Sequence, residues 1–204
     1  MRYRFIPAAL MLILAAAHPA AAATNLVKNN SFEQPVVKKG TTLTVNVGDT
    51  IGPWVVVGSA IGNTGVYVIN KNYVEEGGAA HFTPELGSQF IDLSGPGNEG
   101  PIGVQQNITT AIGATYQLTF YIGNEDDALP SYGAPSAATV FINGVNAGTF
   151  TCDLNVPGNT GWQQFTVSFT AAKANTAITF INAGADALSG LDNVSVVQTG
   201  APAR

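Results

Sequence analysis

The sequence predicts an all-β fold, an antiparallel β-sandwich of the jelly-roll kind, and three observations carry that expectation. No window of eleven or more residues keeps its apolar side chains at helical spacing. Short runs rich in Val, Ile, Thr, Phe and Tyr alternate with polar positions, and clusters of Gly, Asn, Pro and Thr separate them. Strands that recur without intervening helices pair antiparallel, and a second sheet must cover their apolar faces.

The first residues read as an export signal. Met1-Arg2-Tyr3-Arg4 is a short cationic start, Phe5 to Ala17 is an apolar run too short to anchor in a bilayer, and Ala21 to Ala23 offer an A-x-A cleavage site. The expected organisation is therefore a signal peptide over 1–23, a single sandwich over 24–198 and a polar tail over 199–204. The mature protein is expected in the periplasm or outside the cell, with no membrane span. Loss of Arg2 and Arg4 with the leader leaves six basic residues against thirteen acidic ones, a balance that argues against nucleic acid and anionic lipid as partners. The one cysteine, Cys152, cannot form an internal disulfide and reads as a buried or half-buried free thiol.

Along the mature chain, Leu26-Val27-Lys28 reads as a short entry strand, followed by the turn-rich Asn29 to Glu33 with Phe32 as its anchor. Val36 to Val47 reads as a loop or exposed hairpin arm. Strands follow at Pro53–Val57, Gly65–Ile69 and Gln89–Leu93, the last with Gln89, Ile91 and Leu93 on one face. Gly95-Pro96-Gly97-Asn98-Glu99-Gly100 matches a dinucleotide fingerprint, but a strand follows it where that motif needs a helix N-terminus. Ile102–Ile108 and Thr115–Ile122 read as a pair joined by the turn Thr110 to Gly113. In the second of them Tyr116, Leu118, Phe120 and Ile122 face the core, and Gln117, Thr119 and Tyr121 face away. Gly123 to Pro135 reads as the longest loop. Asn143-Gly144 is a strong hairpin signal between Ala138–Phe141 and Ala147–Phe150. Gln163–Thr170, Thr176–Ile181 and Leu191–Val197 complete the set.

The last strand carries an oddity. Strict alternation puts Asp192 on one face with Val194 and Val196, and a carboxylate among core valines requires a partner. Backbone amides near the strand end are one such partner and a bound cation is another.

In order along the chain, Asn29-Asn30-Ser31-Phe32-Glu33, Pro53-Trp54-Val55-Val56 and Phe90-Ile91-Asp92-Leu93-Ser94-Gly95 are followed by Tyr116-Gln117-Leu118-Thr119-Phe120, Gly161-Trp162-Gln163-Gln164-Phe165-Thr166 and Leu191-Asp192-Asn193-Val194-Ser195-Val196. This series resembles domain-of-unknown-function family 642, met in bacteria as choice-of-anchor secreted proteins. The resemblance implies the galactose-binding-like fold of many carbohydrate-binding modules. It also implies that Glu33 and Asp192 bind a structural calcium ion together with backbone carbonyls.

Binding of sugar without catalysis uses aromatic rings against pyranose faces and amide or carboxylate groups on hydroxyls. Tyr121, with Gln117 beside it, is the leading candidate on its outward face. Asn124-Glu125-Asp126-Asp127 reads first as a solvated acidic loop, with a hydroxyl-binding cluster or a second calcium site as the alternative, to which Asn124, Glu125 and Asp126 would contribute. Trp54 and Trp162 are stacking platforms or core packing. Gln106 is either a satisfied core amide or a groove residue. A Ser-His-Asp enzyme would have to use His81, the only histidine after the leader, and no G-x-S-x-G elbow occurs. Asp92, Glu125, Asp126 and Asp127 show no spacing that singles out a glycosidase pair. The expectation is a secreted, non-catalytic protein that binds an envelope or matrix polysaccharide. The alternative is a structural or adhesive protein with a protein partner.

Overall fold

A computed structural model describes residues 24–59, 65–74, 81–96, 100–125, 135–154, 156, 158–184 and 188–202. Among these residues there are twelve strands and no helix, so no helix is long and apolar enough to cross a membrane. The strands are β1 (Thr42–Asn46), β2 (Thr50–Ile51), β3 (Trp54–Gly58), β4 (Gly65–Asn70), β5 (Gln89–Asp92), β6 (Ile102–Thr109), β7 (Thr115–Glu125), β8 (Ser136–Ile142), β9 (Val145–Cys152), β10 (Thr160–Thr170), β11 (Asn175–Asn182) and β12 (Gly190–Gly200). They form two six-stranded antiparallel sheets. Sheet A has the order β1-β4-β5-β12-β7-β10 and sheet B the order β2-β3-β6-β11-β8-β9. The expected jelly-roll sandwich is the fold found.

Alternation decides what each strand buries. Along β7, Tyr116, Leu118, Phe120 and Ile122 are buried, while Gln117, Thr119 and Tyr121 stay half-buried on the opposite face. Val104 and Ile108 of β6, Ile178 and Phe180 of β11, and Leu118 and Phe120 of β7 belong to one core between the sheets. Phe120 and Phe180 meet edge to face at its centre, with ring centroids 5.0 Å apart. Asn143-Gly144 turns the chain from β8 into β9 with both residues at positive φ, as a two-residue hairpin requires.

Four expectations change. Ile102–Ile108 and Thr115–Ile122 are not a hairpin: β6 lies in sheet B and β7 in sheet A, and residues 110–114 carry the chain across. Thr110 and Gly113 give their amides to Ala174 and Ala171, at 2.9 and 2.8 Å, on the matching crossover after β10. The turn residues themselves are the same for a hairpin and for a sheet-to-sheet corner. The Val36–Val47 stretch holds strand β1, paired with β4. Leu26–Lys28 belongs to no strand. At the other end, β12 runs through Gly200, two residues into the expected tail.

Residues 25–37 have no ladder, and side chains from both sheets take up their backbone groups. Gln106 of sheet B accepts the Lys28 amide at 2.8 Å and donates to the Lys28 carbonyl at 2.9 Å, so it is a satisfied interior amide and not a groove residue. Gln89 of sheet A accepts the Val37 amide at 2.6 Å and donates to the Phe32 and Pro35 carbonyls at 2.7 and 3.0 Å. Asn25 accepts the Val196 amide at 2.9 Å and donates to the Val194 carbonyl at 3.2 Å. Val27 and Phe32 enter the core between these ties.

A change of Gln89→Leu keeps the volume and orphans three backbone groups. It is expected to lower unfolding free energy by about 3 kcal/mol in urea denaturation. A loss under about 1 kcal/mol would mean that water takes over these bonds.

Candidate functional site

Sheet A has a second face, turned away from the core, and register places residues on it in rows. Trp162 of β10, Gly123 of β7, Gly190 of β12, Asp92 of β5 and Tyr67 of β4 align in one row. Gln164, Tyr121 and Asp192 form the next. Thr166, Thr119 and Ser195 follow, then Ser168, Gln117 and Val197. Gln117 and Tyr121 therefore stand where alternation puts them, on a face lined largely by hydroxyls, amides and aromatic rings.

Two glycines create the centre of this face. A Cβ on Gly123 would lie 2.7 and 2.8 Å from Cζ3 and Cη2 of Trp162, and one on Gly190 would lie 3.0 Å from Cη2. The half-buried indole thus occupies space that any other residue in those strands would fill. Its N–H donates to the Thr83 carbonyl at 2.7 Å, and Phe90 meets it edge on, with centroids 5.3 Å apart. Phe82, Phe90, Ile69 and Leu188 form a small apolar cluster here, flanked by the half-buried rings of Tyr67, Tyr73 and Trp162. Tyr73 stacks on Phe82 at 5.7 Å.

Trp54 is a correction. It is fully buried in the core between Phe32 and Phe180, with its indole N–H on the Asn29 carbonyl at 3.1 Å, so it cannot meet a ligand. Asn124 is also structural. Its carbonyl oxygen accepts the Ser136 hydroxyl at 2.8 Å and its amide donates to the Leu154 carbonyl at 3.2 Å, fixing the start of β8. Glu125 ends β7 as a buried side chain, 1% exposed, and offers no solvated acidic loop. Asp126 lies outside the described residues. The sequence leaves Trp162 open between a stacking platform and packing, and the strand glycines Gly123 and Gly190 are the signal that marks a close approach over the sheet.

Asp192 is buried as expected, but on the other face. Between Asp192 and Ser195 the register with β7 slips by one residue, and Asn193 sits at φ +45°. This bulge breaks the parity, so Asp192 stands opposite Tyr121 on the outer face while Val194 and Val196 enter the core. Its partners are backbone amides, Leu86 at 2.9 Å and Asn193 at 2.7 Å. Glu33 accepts the amides of Ser88 and Gln89 at 2.6 and 2.9 Å through one oxygen. The opening and closing segments therefore grip one loop, residues 85–89. Burial pushes the Asp192 carboxyl up to about 8 despite the amides, with nearby Glu85 adding to the rise. Burial, then the Glu85 carboxylate, also pushes the Tyr121 phenol up.

Calcium takes hard oxygens, and both carboxylates keep lone pairs beyond their amide bonds, so the donor chemistry fits. Among the described residues no group of three His, Cys, Asp or Glu side chains stands ready for a metal, so an ion here would draw its other ligands from carbonyls or water.

Asp92 is the other buried carboxylate of this face. One oxygen accepts the Ser94 hydroxyl at 2.7 Å and the Ser94 and Ser189 amides at 2.9 Å each. Cys152 is buried and free, and burial pushes its thiol up.

The chain is thus a jelly-roll sandwich whose sheet A carries, on its outer face, an indole ring seated over two glycines among hydroxyl, amide and carboxyl side chains. The chain belongs to the family described as a protein of unknown function, DUF642, whose profile matches residues 25–196. No curated protein matches the chain. Among solved structures, the K1 cleaved adhesin domain of Lys-gingipain from Porphyromonas gingivalis W83 shares the fold. It has 17% identity and a TM-score of 0.51 over 79% of this chain and 100% of that one. A family 35 carbohydrate-binding module from Clostridium thermocellum aligns at 12% identity and a TM-score of 0.46, over 76% and 97%. The CBM22-1 xylan-binding domain from Paenibacillus barcinonensis aligns at 13% identity and a TM-score of 0.42, over 81% and 99%.

Burial outweighs the hydrogen bonds at Asp92 and raises its carboxyl from 3.8 to about 6. A raised carboxyl contributes stability that is complete below the unfolded value and lost as pH rises through the folded one. Between pH 4 and pH 7 this group is expected to cost the fold about 2 kcal/mol. Chemical denaturation across that range should show a smaller decline for Asp92→Asn than for the wild type, and equal declines would contradict the assignment.

Proposed function

We propose that this protein is an exported, non-catalytic module that binds a neutral envelope or matrix polysaccharide on the outer face of sheet A. One observation carries the reading: the half-buried Trp162 ring, seated over Gly123 and Gly190 and fixed by its N–H to Thr83. A held indole offers a sugar ring an apolar surface without loss of side-chain freedom on binding. Tyr121 extends that surface in the next row, and Gln117, Thr119, Gln164, Thr166 and Ser168 supply amides and hydroxyls for the sugar's own hydroxyls. The net negative charge of the chain disfavours acidic polymers as partners. The leader at the N-terminus supports export.

Glu33 and Asp192 are proposed to hold a calcium ion with carbonyl oxygens, which would offset the burial of the Asp192 charge and tighten the grip on residues 85–89.

Affinity electrophoresis through gels of neutral and acidic polysaccharides tests the main reading. At least one neutral polymer is expected to retard the wild type, and Trp162→Ala to bind it at least about tenfold more weakly, with Tyr121→Ala intermediate. A wild type that passes every gel unretarded at high micromolar concentration would refute binding. Chelation of protein shown beforehand to carry calcium should lower the melting temperature, and Asp192→Ala should abolish that response. An unchanged melting temperature in the loaded wild type would remove calcium as a stabilising element.

A further inference from the structure

The hydrogen bonds of residues 82–89 reach three distant parts of the chain at once. Ser88 and Gln89 give their amides to Glu33 of the opening segment. Leu86 gives its amide to Asp192, and Glu85 accepts the Asn193 side-chain amide at 2.7 Å, both on the closing strand. At the other end of the same stretch, the Thr83 carbonyl accepts the Trp162 indole N–H, and Phe82 packs within 6.4 Å of Phe90, centroid to centroid, beneath the same ring. One stretch is thus pinned at both carboxylates and presents one carbonyl outward to an edge-strand tryptophan.

We propose that Glu33, Asp192 and Asn193 are positioning residues for Trp162, acting through residues 82–89. The grip on 85–89 fixes where the Thr83 carbonyl stands, and that carbonyl fixes the indole over Gly123 and Gly190. Loss of the grip leaves the core intact, because Phe82, Thr83 and Trp162 lie on the outer face and the interior packs on the opposite side of sheet A. The ring then samples other rotamers, and the surface offered to a ligand is no longer held in advance. By linkage, a ligand that requires the held ring tightens the grip in return. The part of this inference that concerns binding rests on the reading given under the proposed function, whereas the part that concerns the ring does not.

The two indole N–H groups separate these possibilities. Trp54 donates to Asn29 in the core and Trp162 donates to Thr83 outside it, so each reports one region by NMR. Asn193→Gly keeps the positive-φ backbone and removes the amide to Glu85, and Glu33→Ala removes the acceptor of two loop amides. In both variants the Trp162 indole proton is expected to shift and to exchange with solvent roughly tenfold faster, with the Trp54 proton unchanged. Glu33→Gln, which retains an acceptor oxygen, should restore most of the protection. Polysaccharide affinity should fall in the same order as Trp162 protection. A Trp162 indole proton unmoved in both variants, with Trp54 intact, would overturn the proposal. A Trp162 proton that responds in a protein binding no polysaccharide would uphold the positioning and refute the function.

Discussion

A backbone that forms no ladder must still satisfy its amides and carbonyls. Residues 25–37 meet that requirement through two backbone bonds to β12, Leu26 N–H to Val196 O and Val194 N–H to Asn30 O, and through side chains of both sheets. Gln106 reaches the segment from sheet B, and Gln89 reaches it from sheet A. Asn25 ties it to the closing strand. These bonds place Phe32 against Trp54, with ring centroids 5.3 Å apart, and so set one wall of the core. They also set Glu33, whose carboxylate holds the loop that crosses the outer face. A segment without secondary structure therefore joins the two sheets and shapes the surface beyond them.

The outer face of sheet A works by opposite rules from the inner one. Inside, alternating Phe, Leu, Ile and Val fill the space between sheets. Outside, the row that matters is built from what is missing, since Gly123 and Gly190 contribute no side chain and thereby seat a tryptophan from the edge strand. The aromatic rings gather at the β4–β5 side with Phe82 and Phe90, and hydroxyl and amide groups spread over β10, β7 and β12. Such a division suits a ligand with apolar ring faces and hydroxyl edges.

Much of the architecture was legible from alternation alone, because a residue's face follows from parity wherever a strand is regular. The buried and half-buried positions of β7 agree with that rule at each residue from Tyr116 to Ile122. Parity fails where a residue is inserted. The bulge at Asn193 moves Asp192 to the outer face, and an Asp-Asn pair in mid-strand, with Asn tolerant of positive φ, is the local mark of it. The corner at 110–114 escaped for another reason: turn residues report a change of direction, and not whether the next strand stays in the same sheet. Trp54 and Trp162 illustrate a third limit. Both are tryptophans near strand starts, and only glycines distant in sequence but adjacent in space, in β7 and β12, seat one on the outer face while the other fills the core.

The most direct test of the account is an NMR titration of the wild type with a neutral oligosaccharide drawn from a polymer that retards it. The account predicts that the largest shifts fall on the Trp162 indole and on the amides of Gly123, Gly190, Tyr121 and Gln164. Shifts concentrated instead on strands β3, β6 and β11 of sheet B, with the Trp162 indole unmoved, would contradict it.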